Sequence, residues 1–214
     1  MKLLSLNTAF NETYVVVKAG DKIYKKTMDS SLKQSENVLG AVDKCLSDAN
    51  LEIKDLDCIA CVIGPGSFTG IRIGASLCKG FCMACKNIKK IEINSLDLLA
   101  FSFAKNEKPQ SDFYVILNGL SGNIFVCKYN YEGNQITSPC LMFGEEINSL
   151  QGIKVGLKQE EYSICNKFID FNCEDLLSFS LEKISKGEYS FDYVPLYLRK
   201  SQAEAELDKR NGNS

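Results

Sequence analysis

Apolar and polar positions alternate along residues 2–8, Lys-Leu-Leu-Ser-Leu-Asn-Thr, which predicts a strand. Residues 13–18, with Tyr14 to Val17 in a row, predict a second strand. A turn at Ala19-Gly-Asp21 leads into a third over 22–28. Connections this short join antiparallel neighbours. Leu32, Leu39, Val42, Leu46 and Ala49 recur at helical spacing, so an amphipathic helix is expected over about 31–49. Ile59 to Ile63 is a continuous apolar run that stops at Gly64-Pro65-Gly66, the pattern of a buried strand closed by a turn. The period then changes. Ile71, Ala75, Cys78, Cys82 and Cys85 predict a helix reaching about Lys86, capped at its start by Ser67 or Thr69. Residues 90–93 predict a short strand, and Ser95 can cap a helix running to about Lys105.

Gly66, Gly70 and Gly74 fall four residues apart at the start of the glycine-rich helix and therefore share one face. An interior glycine costs a helix about 1 kcal/mol relative to alanine, so the bare face must be used for something. Three uses fit. The face can pack tightly inside the fold, dock a helix from another subunit, or cradle a phosphate. The last fits worst. No lysine follows Gly70 as a P-loop requires, and the third glycine falls one residue late for a dinucleotide fingerprint.

Strand, strand, strand, helix, strand, helix, strand, helix is the predicted order over 1–105. It gives an α/β lobe with a mixed five-stranded sheet and helices packed on it. This resembles the ribonuclease-H-like unit of the actin, hexokinase and Hsp70 (ASKHA) superfamily. A polar linker at 106–112 opens a smaller second lobe, expected to extend to 190. Strands are expected there at 113–117, 123–131, 138–143 and 155–157. A short helix is expected near 160–168, and another around Leu176 to Ile184. Residues 191–214 read as an extended segment around Pro195, followed by a polar tail.

Composition narrows the chemistry. The chain has 214 residues, a net charge of -2, and 45% apolar and 24% charged residues, as in an ordinary globular protein. No basic field is present for nucleic acid. No apolar run approaches the roughly 20 residues of a membrane span. Asn7 and Asn11 interrupt the opening strand too early for a signal peptide, so a cytoplasmic protein is expected. Ten cysteines sit mostly at strand or helix core positions and read as small buried hydrophobes. Histidine is absent, which removes the commonest general base and the commonest metal ligand. No metal site and no catalytic residue are expected.

The eleven residues Gly64-Pro-Gly-Ser-Phe-Thr-Gly-Ile-Arg-Ile-Gly74 resemble the signature of the TsaB (YeaZ) family. Pro195-Leu-Tyr-Leu-Arg199 and Ala203-Glu204 are similar to the family as well. The resemblance implies an actin-like two-lobed fold. It implies a non-catalytic subunit that supports the threonylcarbamoyltransferase TsaD, which carries the metal-binding histidines. The product is threonylcarbamoyladenosine (t6A) at the adenosine next to the tRNA anticodon. It further implies a TsaE-like ATPase as a third partner, a homodimer when the chain is alone, and only indirect contact with tRNA. Weak ATP or ADP binding, at the subunit interface or in the interlobe cleft, is an open expectation. Docking is expected through Gly66, Phe68, Thr69, Gly70, Ile73 and Gly74, with Ser35, Glu36 and Leu39 from the preceding helix. Arg72 either pairs with an acid across that interface or braces its own loop.

Three departures from the family pattern stand out. Asn7 replaces the acid of an Asp-Thr-Ser stretch, Gln34-Ser35-Glu36 replaces a His-Ser stretch, and Asn118-Gly119-Leu120 replaces an Asp-Ala-Arg stretch. Each loses a charged or titratable group, unless all three are drift at surface or loop positions. The competing reading is a small actin-like ATPase or kinase acting alone, which needs carboxylates near its phosphates. A protease is disfavoured by the missing histidine.

Overall fold

A computed structural model describes residues 1–29, 34–119, 123–158 and 163–197. The first sheet contains β1 (Lys2–Asn7), β2 (Glu12–Ala19), β3 (Lys22–Asp29), β4 (Cys58–Gly64) and β5 (Lys89–Asn94), in the order β3-β2-β1-β4-β5. β1 runs antiparallel to β2 and parallel to β4, and β4 is parallel to β5. Burial explains the residue choice. β1 and β4 are central, so Leu3, Leu4, Leu6, Ile59, Ala60 and Cys61 are fully enclosed on alternate faces. β3 is an edge, and its Lys22, Lys25 and Lys26 are exposed, which discourages further strand pairing.

Helices α1 (Gln34–Asp48) and α2 (Phe68–Ala84) cover one face of this sheet. Their apolar stripes, Val38, Ala41, Val42 and Cys45 on α1 and Ala75, Cys78 and Cys82 on α2, enclose Leu4, Leu6, Val15 and Val17. Helix α3 (Ser95–Glu107) lies on the other face. Its cap is Asn94 rather than the expected Ser95, because Asn94 Oδ1 accepts from the amides of Leu96 and Asp97.

The second sheet contains β6 (Phe113–Asn118), β7 (Asn123–Tyr129), β8 (Cys140–Phe143), β9 (Ile153–Leu157) and β10 (Lys167–Ile169), in the order β10-β9-β6-β7-β8. A single helical turn, α4 (Gly144–Asn148), follows β8 and was not anticipated. The helix expected near 160–168 is corrected. Residues 167–169 form β10, which pairs in parallel with β9, and 159–162 lie outside the described residues. The end of the expected second lobe is corrected too. Helix α5 (Cys173–Ser185) packs onto β1, β2, β3 and β5 of the first sheet, beside α3. Leu176, Leu177 and Phe179 join the same apolar core as Leu3, Val16 and Ile91. The chain thus crosses back to the first lobe about 20 residues before the expected boundary at 190.

Residues 189–197 continue as a strap across the first lobe. Ser190 bridges to Lys90 on β5, and the Leu196 amide donates to the Ile63 carbonyl of β4 at 2.8 Å. Tyr193 is fully buried between them, and its hydroxyl donates to the Ile59 carbonyl at 2.7 Å.

No disulfide joins any of the ten cysteines, and only Cys140 is exposed and Cys85 half-buried. Burial pushes the thiols of Cys58, Cys82, Cys127 and Cys173 above their ordinary range, so the reactive thiolate is scarce. Iodoacetamide on the folded chain should therefore modify Cys140, then Cys85. The other eight should react only after denaturation, as read by mass spectrometry. Rapid native labelling of Cys78 would contradict this packing.

Candidate docking site

β4 delivers the chain into the turn before α2. Ser67 caps the helix, its hydroxyl oxygen accepting from the Gly70 amide at 3.2 Å. The glycine face then meets the chain itself. A Cβ on Gly70 would lie 1.8 Å from the Thr8 carbonyl oxygen, and one on Gly66 2.4 Å from the Ala9 carbonyl oxygen. One on Gly74 would lie 2.4 Å from Thr8 Oγ1. Two hydrogen bonds close the contact: Thr8 Oγ1 donates to the Gly70 carbonyl at 2.7 Å, and the Ser67 amide donates to the Ala9 carbonyl at 2.8 Å. The expectation that Gly66, Gly70 and Gly74 form a docking face is therefore corrected. They admit the turn between β1 and β2, and tight internal packing is their use.

The opposite side of α2 is free of such cover. Thr69, Arg72, Ser76, Gly80 and Met83 are exposed and follow each other at spacings of three and four, a single stripe. Met83 is 80% exposed. Ile73 and Leu77 are half-buried against the α1 side of the core, and Phe68 is half-buried at the helix start. On α1, Ser35 and Glu36 are exposed in the first turn and Leu39 is 52% exposed. A Cβ on Gly40 or Gly80 would meet nothing. The surface that α1 and α2 share thus combines large apolar side chains with small ones, and it fits a closely approaching helix. Of the expected contact residues, it brings together Ser35, Glu36, Leu39, Phe68, Thr69, Arg72 and Ile73. Gly40, Ser76, Leu77, Gly80 and Met83 belong to it and were missed. The signal was present for Ser76, Gly80 and Met83, which sit on the α2 stripe facing away from the glycine face, whereas Leu77 borders the glycine face and Gly40 belongs to α1.

Arg72 is braced from two sides. Its guanidinium carbon lies 3.8 Å from the Phe68 ring centre and 5.6 Å from that of Tyr197. Its Nε donates to the Tyr197 hydroxyl at 2.9 Å. The two rings themselves are 4.9 Å apart.

Among the described residues, aromatic rings meet between β1–β2 and the segment before α5. Phe10 and Tyr14 meet Phe171 edge-on, with ring centres 5.4 and 5.1 Å apart. The space lined by Phe10, Asn11, Glu12, Tyr14, Leu157 and Phe171 is about 10 Å³, room for one water at most. Asn7, beside it, is fully buried and so is not surface drift. Its Oδ1 accepts from the Ala9 amide at 3.0 Å and its Nδ2 donates to the Glu12 carbonyl at 3.4 Å. An aspartate has no donor for the second bond. The Gln34 side chain and Leu120 lie outside the described residues, while Asn118 closes β6. A wider groove of about 380 Å³ lies between α3, α5 and residues 132–135, but Lys183 and Lys186 on its wall are committed to Glu188 and Glu182. Among the described residues no three His, Cys, Asp or Glu side chains could hold a metal ion, and no helix is long and apolar enough to cross a membrane.

The family model described as TsaD, tRNA N6-adenosine threonylcarbamoyltransferase, matches residues 28–191. The chain belongs to this threonylcarbamoyltransferase family. Within it, the full-length likeness is to TsaB, also called YeaZ. The chain is 24% identical to the tRNA threonylcarbamoyladenosine biosynthesis protein TsaB of Buchnera aphidicola subsp. Acyrthosiphon pisum over 211 residues, 88% of this chain and 92% of that protein. It is 23% identical to the tRNA N6-adenosine threonylcarbamoyltransferase of Prosthecochloris aestuarii over 152 residues, but these make up 62% of this chain and only 44% of the transferase. The solved YeaZ from Pseudomonas aeruginosa superposes with a TM-score of 0.75 at 18% identity, covering 92% of this chain and 99% of that one. The two-lobed fold of this chain is thus the YeaZ fold.

Proposed function

We propose that this TsaB-like chain is a non-catalytic subunit that binds a TsaD-like threonylcarbamoyltransferase and supports it in forming t6A next to the tRNA anticodon. The observation that carries the reading is the two-helix face that the rest of the described chain leaves uncovered, beside close aromatic packing at Phe10, Tyr14 and Phe171. The space around Phe10, Tyr14 and Phe171 has room for about one water, so a nucleotide has no seat among these three rings unless they part. The face offers Leu39, Ile73, Leu77 and Met83 around small residues, where a partner helix can come close. Docking through Ser35, Glu36, Leu39, Phe68, Thr69, Arg72 and Ile73 is retained, with Ser76, Gly80 and Met83 added. The same face serves a homodimer when no TsaD partner is present. A TsaE-like ATPase joins the pair, ATP or ADP binds at a subunit interface rather than among these rings, and the setting is the cytoplasm.

Native mass measurement tests this. The purified chain alone should appear as monomer or homodimer, and adding the TsaD paralogue should convert it to a heterodimer. Magnesium-dependent ATP turnover by the chain alone, without the paralogue, would replace this reading with the kinase-like one.

A further inference from the structure

We infer that Arg72, clamped by Phe68 and by Tyr197 of the strap, is a preformed receptor for a carboxylate presented by the protein partner. The inference rests on the docking function just proposed and names the chemistry of one contact in it. Three observations lead to it. First, the clamp fixes the guanidinium. One ring lies 3.8 Å below it, and Nε is already bonded to the Tyr197 hydroxyl at 2.9 Å. An arginine held this way has given up most of its rotamer freedom before a ligand arrives. Second, the terminal Nη groups have no acidic partner among the described residues, and Arg72 is exposed. Lys79, two turns further along the same face of α2, is instead paired with Asp192 of the strap at 3.0 Å. Third, Arg72 lies on the stripe with Thr69, Ser76, Gly80 and Met83, so a ligand reaching it comes from whatever covers that face.

Charge selects the ligand class. A planar guanidinium edge matches a carboxylate or a phosphate. A polyanion would need several cations around it, but Arg72 is the one cation on the stripe of Thr69, Ser76, Gly80 and Met83, and the chain's net charge is -2. A single Asp or Glu side chain from a protein is the ligand that fits. The clamp also gives the strap a role. Tyr197 belongs to 189–197, so the C-terminal segment completes a site on α2 that neither element makes alone.

The test compares wild type with Arg72→Gln, Arg72→Lys and Tyr197→Phe by calorimetric titration against the TsaD paralogue. Melting curves verify that each variant is folded. Arg72→Gln should weaken binding about tenfold or more, the loss expected when one partner of a desolvated charge pair is removed. Arg72→Lys should lose nearly as much, because it keeps the charge but not the fork or the stack. Tyr197→Phe keeps the ring and loses one hydrogen bond, so about a threefold loss is expected. If wild type binds and Arg72→Gln binds equally well, the receptor is wrong while the docking function stands. If wild type itself does not bind, both fall. If Arg72→Gln instead abolishes tRNA binding and spares the paralogue, the ligand is a phosphate and the inference is overturned.

Discussion

Replacing Gly70 by alanine is expected to lower the melting temperature by about 10 °C. The added Cβ would sit 1.8 Å from the Thr8 carbonyl oxygen, a backbone atom that cannot swing aside. Either α2 or the β1–β2 turn must move, and the Thr8 Oγ1 bond to the Gly70 carbonyl is lost with it. Overpacking plus one broken buried hydrogen bond gives roughly 3–4 kcal/mol. At this chain length each kcal/mol is worth about 2–4 °C. Gly80→Ala is the matched control. It stands on the same helix with open space around its Cβ position, so alanine should stabilise by about 0.5–1 kcal/mol through helix propensity alone. Scanning calorimetry reads both. Equal melting temperatures for the two variants would mean that the glycine face is not packed as described.

The second large effect is expected at Tyr193. It is fully buried at the crossing of the strap, β4 and α2, and bonded to the Ile59 carbonyl at 2.7 Å. Burial pushes its phenol well above the usual tyrosine range, so it stays a neutral donor at any physiological pH. Tyr193→Ala should cost about 4 kcal/mol, in the range of other large aromatic deletions. Tyr193→Phe should cost about 1 kcal/mol, the hydrogen bond alone. The alanine variant should also loosen the strap, so limited proteolysis would cut after residue 189 much faster than in wild type. Without the strap Arg72 loses Tyr197. Urea unfolding and the proteolysis pattern check the two consequences separately. An alanine variant as stable as the phenylalanine one would mean that the ring fills no essential space.

Much of this fold was legible because burial and periodicity agreed. β1, β4 and α2 announce themselves through apolar runs and stripes whose period matches the element. The helix expected near 160–168 failed for the opposite reason. Phe168 and Ile169 are only two apolar residues on a short edge strand, too few to distinguish a period of two from one of 3.6. The boundary at 190 failed because α5 buries Leu176, Leu177 and Phe179 against strands of the first lobe that lie far earlier in the chain, and no local pattern records a distant partner. The glycine face was found but misassigned. A bare helix face says that some backbone comes close, not whose backbone it is, and the turn at Thr8-Ala9 proved to be the visitor. The exposed stripe through Ser76, Gly80 and Met83 followed from the same helical wheel by taking its other side. Asn7 looked like a lost catalytic acid. Its buried side chain ties both ends of the β1–β2 turn together, a role that spacing alone does not reveal.

The outer face of α1 and α2 is tested most directly by titrating the TsaD paralogue into Gly80→Leu and into wild type at matched concentration. Leucine at this open position leaves the helix packed on its own sheet while standing in the path of an approaching one. The affinity should fall at least thirtyfold with the melting temperature held within about 3 °C of wild type. A folded Gly80→Leu chain that binds the paralogue as tightly as wild type would place the contact elsewhere on the molecule.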